Sequence, residues 1–105
     1  MAAAVAAKDP TSWLVRTVRD DISTCDVKSN NIEEGPSPIG GNDHQGAVNQ
    51  CMDTKLFPYI CDAQYNPAKM TLIIFEDHKG CAGPSRTGKP GQWMGKAKSW
   101  KMVNN

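Results

Sequence analysis

The feature that most constrains the fold is the run MTLIIFEDHKGCAG at residues 70–83. Its first part is rich in β-branched and aromatic side chains, which are enriched in strands. A short acidic segment follows and ends with two glycines, Gly80 and Gly83. Because glycine adopts positive φ without steric cost, this order of residues predicts a strand at residues 70–75 that folds back on itself.

Length and composition limit the number of domains and the classes of protein. A chain of 105 residues is long enough for one modest core, and 39% hydrophobic residues is well above a disordered composition. No stretch is long and apolar enough to predict a membrane span. The apolar run at the start ends at Lys8, which is too short for a signal peptide. We predict a flexible tail at residues 1–11 and favour a cytoplasmic location, with a secreted mature chain as the alternative.

The four cysteines lie at long and irregular spacings, at Cys25, Cys51, Cys61 and Cys81. A structural zinc site normally uses closely spaced ligand pairs such as C-x-x-C, and the chain contains no such pair. Two disulfides are possible, in any of three connectivities. Free cysteines are also common as small core residues, so the sequence leaves the redox state open.

Short β-rich segments separated by turn residues predict an all-β fold. Residues 13–22 alternate as a strand does, although apolar residues also recur there at helical spacing. Residues 26–46 are rich in Gly, Pro, Asn and Ser and predict a long loop. Pro58 should place its strand at a sheet edge or a bulge. Further strands are predicted at residues 47–52, 56–61 and 70–75, followed by a loop at residues 85–91 and a closing segment at residues 93–103.

The run at residues 70–83 resembles the folded-hairpin signature Y-E-D-x-x-F-x-G of the βγ-crystallins. Phe75, Glu76 and Gly83 match this signature, while Cys81 replaces its second aromatic residue. Near the end of the chain, Trp93 and Ser99 fit a QWMG segment and the serine of a final crystallin strand. The resemblance is to the microbial single-domain members, fungal ones included. It implies one β-sandwich made of two Greek keys, at about residues 12–54 and 55–104.

The resemblance also raises the possibility of calcium binding. In calcium-binding members, an N/D-N/D-x-x-S/T-S loop supplies oxygen ligands, and calcium needs about six to eight of them. Asn42 and Asp43 match the start of this loop, but Gly46 replaces a hydroxyl residue. The corresponding register of the second key carries Lys96 and Lys98. We therefore expect no cofactor and a weak, vestigial or absent calcium site, and a plain turn at Asn42 and Asp43 is at least as good an interpretation.

The leading functional hypothesis is a monomeric, non-catalytic structural protein associated with stress or development. The alternative is a secreted, disulfide-bonded toxin, effector or protease-inhibitor-like binding protein, as in family relatives with this architecture, whose target would contact a loop near residues 84–91. A small ribonuclease ranks last. It could use His44 and His78 with Glu76, Asp77 and Arg86 for acid and base work and phosphate contact, but nothing in the sequence makes these residues converge. A polyanion could bind to Lys96, Lys98 and Lys101, beside Trp93 and Trp100, by charge and stacking. We favour solvated lysines and buried tryptophans, and we expect no nucleic-acid partner.

Overall fold

The structure is a computed structural model that describes residues 13–25, 32–34 and 48–105. Within these ranges it is all-β and contains no helix, as the sequence predicts. The predicted tail at residues 1–11 lies outside the described residues. In chain order the strands are β1 (Leu14–Val18), β2 (Ile32–Glu34), β3 (Met52–Asp53), β4 (Tyr59–Gln64), β5 (Met70–Phe75), β6 (Arg86–Thr87), β7 (Gly95–Lys96) and β8 (Ser99–Asn104).

The strands form two antiparallel four-stranded sheets, an arrangement consistent with a β-sandwich. The strand order is β2-β1-β4-β7 in the first sheet and β3-β8-β5-β6 in the second. Each sheet therefore takes three strands from one half of the chain and one edge strand from the other half. The exchanged edge strands are β3 and β7, so neither sheet is completed by one half alone.

The core contains buried side chains from both sheets. Val15 and Ile60 come from the first sheet, and Leu72 and Met102 come from the second; all four are fully buried. In β5, the inward positions alternate with half-buried ones, as expected for a strand with one face on the core. Trp13 and Trp100 meet edge to face, with ring centroids 5.7 Å apart. This aromatic contact joins the segment just before β1 to β8, and so the first sheet to the second.

The strand prediction is correct in some places and displaced in others. Residues 70–75 form β5 as predicted, and the segment at residues 13–22 is a strand over Leu14–Val18. The predicted loop at residues 26–46 is wrong at β2, where Ile32 pairs with Val18 and Glu34 with Arg16. The turn-favouring residues around this short strand predict a loop. The strand arises from backbone pairing with β1, which is not a local property of the sequence.

Pro58 precedes its strand instead of interrupting it. The predicted strand at residues 56–61 is displaced to Tyr59–Gln64, and β4 lies between β1 and β7 and not at a sheet edge. Pro58 contributes only its carbonyl oxygen, which accepts a hydrogen bond from the Ala97 amide at 2.8 Å. A bulge does occur further along β4, where Arg16 pairs with Asp62 but Thr17 pairs with Ile60. Cys61 is the extra residue in this bulge.

Candidate functional site

The turn between β5 and β6 folds back onto β8, where Ser99 holds it. The Ser99 hydroxyl donates to the His78 carbonyl at 2.6 Å and accepts from the Cys81 amide at 2.9 Å. Ser99 is fully buried and lies opposite Phe75 in the pairing of β5 with β8. A single hydroxyl therefore satisfies two backbone groups of the turn, and the turn returns over the sheet that contains β5.

Gly83 lies where the turn needs a residue without a side chain. Its φ is +85°, a backbone conformation that residues with a Cβ rarely adopt. A Cβ at this position would lie 2.5 Å from Cδ2 of His78. Phe75, which the family resemblance associates with the turn, is buried at 6% exposure at the end of β5. The ring against Gly83 is that of His78, a contact that sequence reasoning missed.

The acidic residues of the turn are neutralised by cations from the second half of the chain. Arg86 Nε lies 3.5 Å from Glu76 Oε1, and Lys96 Nζ lies 3.8 Å from Asp77 Oδ1. All four of these side chains are partly exposed, so each ion pair contributes at most about 1 kcal/mol to stability. Of the residue types considered for acid and base work, Glu76 and Arg86 are brought together, and His44 lies outside the described residues.

All four cysteines are paired. Cys25, beyond the end of β1, is bonded to Cys61 in β4, and Cys51, just before β3, is bonded to Cys81 in the turn after β5. The first bond links two segments beside the first sheet, and the second links two segments beside the second sheet. The first bond lies within the half formed by β1–β4, whereas the second connects that half to the one formed by β5–β8.

The end of β3 makes a second contact with the β5–β6 turn. The Gly80 amide donates to Asp53 Oδ1 at 2.9 Å, two residues from the Cys51–Cys81 bond on the β3 side. Gly80 itself has a φ of +72°. The turn is thus held from one side by β8 of its own half and from the other by the edge strand that the first half contributes.

A cleft of about 260 Å³ lies beyond β6, over the segment that connects β6 to β7. Its lining combines two cations, two neutral polar side chains and one large aromatic ring with a glycine and a methionine. The lining residues are Arg86, Thr87, Gly88, Lys89, Gln92, Trp93 and Met94. The predicted binding loop at residues 84–91 contributes four of these seven residues. A smaller cleft of about 200 Å³ lies on the other side of Arg86 and includes Glu76 and Pro84.

Arg86 separates the two clefts and is held in place by backbone acceptors. Its Nη2 donates to the carbonyl of Met94 and to the carbonyl of Lys96 at 3.2 Å. Because Arg86 is in β6 and Lys96 is in β7, these bonds connect the edge strands of the two sheets. The guanidinium is therefore fixed at the seam between the sheets.

Trp93 is half-buried, whereas the sequence predicted buried tryptophans at both Trp93 and Trp100. Trp100 is buried at 2% exposure, but the ring of Trp93 stacks on Tyr59 with centroids 6.3 Å apart and an interplanar angle of 20°. Trp93 precedes β7 and so lies outside the alternation that turns Trp100 toward the core. The predicted solvation is correct for Lys96 and Lys98, which are exposed, whereas Lys101 is half-buried.

Tyr65 connects the segment between β4 and β5 to the segment between β6 and β7 that lines the cleft. Its hydroxyl donates to the Gly88 carbonyl at 3.0 Å. Burial of the phenol raises the pKa of Tyr65 above its usual value, and a backbone hydrogen bond partly offsets this effect. The hydroxyl consequently keeps its proton, and its role as a donor, throughout the neutral range.

The proposed calcium ligands Asn42 and Asp43 lie outside the described residues. In residues 13–25, 32–34 and 48–105, no group of three or more His, Cys, Asp or Glu side chains is placed to hold a metal ion. In the segment of the second half that the resemblance aligns with a calcium loop, Lys96 forms its ion pair with Asp77. Weak or absent calcium binding stays a prediction.

Two further observations concern membrane spans and similarity to known proteins. No helix long and apolar enough to cross a membrane occurs in the part of the chain that the structure describes. Comparisons of the chain with protein-family models, with curated proteins and with solved structures find no match.

Proposed function

We propose that the chain is a βγ-crystallin-like sandwich of two Greek keys, formed by β1–β4 and β5–β8. Both sheets support this, because each contains the second, first and fourth strands of one unit followed by the third strand of the other. Neighbours in the order 2-1-4 are those of a Greek key. In this proposal the boundary between the keys lies within residues 65–69, between β4 and β5, instead of after residue 54.

We further propose that it is a non-catalytic binding protein that works in an oxidising compartment, as secreted proteins do. The observation that carries this proposal is the pairing of all four cysteines in two disulfides. Disulfides persist outside the cell and are rare in the reducing cytosol. Small domains with a limited core use them for stability. This reverses our order of preference from the sequence, where a cytoplasmic structural protein came first.

The local charges support binding over acid and base catalysis. Glu76 and Arg86 are engaged with each other, and Arg86 also donates to two carbonyl oxygens. A general base must instead reach a proton of the substrate. The hypothesis of a structural protein associated with stress or development stays a prediction, since no described contact favours it specifically.

A count of thiols in the protein as its source produces it tests this proposal. Extracellular and cell fractions are quenched in acid, denatured and alkylated with a maleimide without reductant, and the mass of the chain is measured. We expect the chain in the extracellular fraction with no adduct, and with four adducts after reduction, one for each cysteine. A chain found inside cells with four adducts before reduction would overturn the proposal.

Calcium binding is tested separately by calorimetry. We expect no saturable heat at micromolar calcium, because the second-half register carries Lys96 and Lys98 where carboxylates would be needed. A micromolar dissociation constant would show that the ligands at Asn42 and Asp43 are functional.

A further inference from the structure

We propose that the cleft lined by Arg86, Lys89 and Trp93, here called the Trp93 cleft, binds a sugar unit that carries a carboxylate or sulfate group. This inference rests on the proposed binding function, and it names the class of ligand. It depends on three properties of the cleft: its fixed floor, its charge and its half-buried aromatic ring.

The floor of the Trp93 cleft is fixed by hydrogen bonds to both sheets. The Gly88 amide donates to the Leu72 carbonyl at 2.9 Å, and the Gly91 amide donates to the Ala63 carbonyl at 3.0 Å. Leu72 is in the second sheet and Ala63 is in the first. The cleft is therefore formed before a ligand arrives, and binding does not have to order the segment.

Gly88 shows how closely this segment lies on the core. A Cβ at this position would be 2.8 Å from Met94 Sδ and 3.2 Å from Leu72 Cδ2. Gly88 is buried, although the residues on either side of it, Thr87 and Lys89, are exposed. The backbone is thus held against the core while the neighbouring side chains face the cleft.

The charge of the Trp93 cleft favours an anion. Arg86 and Lys89 are its cations, and no Asp or Glu is among the described residues that line it. Glu76 pairs with Arg86 from the neighbouring cleft, so the net positive charge comes from Lys89. The bonds of Arg86 to the described residues use Nε and Nη2, so both N–H groups of Nη1 remain for a ligand. A guanidinium that is already positioned binds a carboxylate or sulfate with little loss of side-chain entropy.

The aromatic ring and the size of the cleft favour a sugar over a nucleic-acid strand. Trp93 is half-buried and already stacks on Tyr59, so the pair offers a single platform. Single-stranded nucleic acids are bound on several aromatic platforms that follow successive bases. The cleft volume of about 260 Å³ is also below the range of roughly 300–1,000 Å³ that is typical of drug-sized ligands. Thr87 and Gln92 add a hydroxyl and an amide, which can bond to sugar hydroxyls.

Titration of the oxidised, full-length protein with defined oligosaccharides tests this inference. The probes are an oligogalacturonate for the carboxylate, a heparin tetrasaccharide for the sulfate, a neutral chito-oligosaccharide and a short single-stranded DNA. The readout is the indole N–H resonance of Trp93 in proton–nitrogen correlation spectra, assigned with Trp93→Phe. We expect one or both acidic probes to shift this resonance saturably and the neutral probe to leave it unchanged.

Matched variants separate a specific site from general charge attraction. Lys89→Gln should weaken binding about fivefold, whereas Lys98→Gln removes an equal charge outside the cleft and should change binding less than about twofold. The two Trp93 variants lack the indole resonance, so their binding is measured by calorimetry beside the wild type. Trp93→Leu should weaken binding about tenfold, and Trp93→Phe, which keeps an aromatic face, should retain most of it. The correlation spectrum of each variant checks that it remains folded.

Several results would overturn the inference: no shift with either acidic probe, equal weakening by Lys89→Gln and Lys98→Gln, equal binding of the neutral probe, or tighter binding of DNA through the same residues. The last result would assign the cleft to nucleic acid. Failure here is distinguishable from failure of the proposed function. An oxidised secreted chain that binds no acidic sugar overturns this inference alone, and free thiols in the native chain overturn the proposed function whatever the titration gives.

Discussion

The segment after β1 and the turn after β5 occupy corresponding places in the two halves, but they are fastened by different chemistry. Beyond β1, Cys25 is bonded covalently to Cys61 in β4, the strand that pairs with β1. Beyond β5, Cys81 is held by the hydroxyl of Ser99 in β8, the strand that pairs with β5. The disulfide of Cys81 instead reaches Cys51, beside the edge strand that the first half contributes.

This difference shows that a turn can be attached to its own sheet by either a covalent bond or a buried hydroxyl. The covalent bond acts mainly on the unfolded chain, by reducing its conformational freedom. The hydroxyl acts on the folded state, where it satisfies two backbone groups that would otherwise lose their hydrogen bonds. The second turn combines both, so removing its disulfide and removing its serine should have separable effects.

Removal of either disulfide should give the largest effect. The separations of 36 and 30 residues correspond to a loss of about 4 kcal/mol for each pair in the loop-entropy model. We therefore expect C25A/C61A and C51A/C81A to lower the free energy of unfolding in urea by similar amounts.

Hydrogen exchange distinguishes the two disulfide variants. In C51A/C81A, the backbone amide of residue 81 should remain protected from exchange, because its hydrogen bond to Ser99 does not require the disulfide. Rapid exchange of this amide in a variant that is still folded would show that the disulfide, and not the hydroxyl, fastens the second turn.

A side chain at Gly83 should produce the next largest effect. Gly83→Val should cost about 3 kcal/mol, because a β-branched residue is strained at positive φ and this one would also meet the His78 ring. Gly80→Val is the matched control, since Gly80 has a φ of +72° and nothing within 4 Å of a Cβ. Its cost should be about 2 kcal/mol. Unfolding in urea measures both.

His78→Ala tests the steric part of this prediction. In that background the costs of Gly83→Val and Gly80→Val should agree to within about 0.5 kcal/mol. A difference that persists without the imidazole would mean that the ring contact is not what distinguishes Gly83 from Gly80.

Ser99→Ala should destabilise the protein by about 2 kcal/mol. It removes the partner of the His78 carbonyl and of the Cys81 amide at a fully buried position. Ser85→Ala, at an exposed position of the same turn, should change the free energy of unfolding by less than about 0.5 kcal/mol. Equal effects of the two substitutions would show that the Ser99 hydroxyl does not stabilise the second turn.

The smallest effect is expected from substitution of Tyr65. It tests whether the connection between β4 and β5 stabilises the second half of the chain. Tyr65→Phe should cost about 1 kcal/mol at neutral pH, through loss of the bond to Gly88. The pKa of Tyr65 is raised in the folded state, so the protonated phenol favours folding. Its contribution to the free energy of unfolding is complete below the pKa of Tyr65 in the unfolded chain, which is about 10, and falls as the pH rises through the folded value.

Urea unfolding of wild type and Tyr65→Phe between neutral and strongly alkaline pH measures this dependence. The difference in stability between the two should shrink as the pH rises above about 10. A constant difference across that range would contradict the direction of the pKa shift, since the two proteins differ only at Tyr65.

Several elements were predictable because their cause is local. The alternation and β-branched content of residues 70–75 predict β5 with its observed bounds, and Gly80 and Gly83 do adopt positive φ. The bulge at Cys61 and the strand Ile32–Glu34 were not predictable in this way. Both depend on the register of a neighbouring strand that is distant in the chain.

The candidate site was predictable only in part. The resemblance singled out Trp93 and Ser99, but nothing nearby in the chain indicates that Trp93 stacks on Tyr59 or that Ser99 bonds to His78. The positioning of Arg86 by the Met94 and Lys96 carbonyls arises from the meeting of two edge strands. Such contacts carry no sequence signal of their own.

The amino-acid sequence by itself determined the all-β class, the position of β5 and the glycines at which the backbone can reverse. Backbone preference and side-chain alternation act over a few neighbouring residues, so they can be recognised without a structure. Only the tertiary structure decided which cysteines pair, which half supplies each edge strand and which side chains line the Trp93 cleft. These outcomes depend on contacts between residues that are far apart in the chain, and their formation is governed by the packing of the whole core.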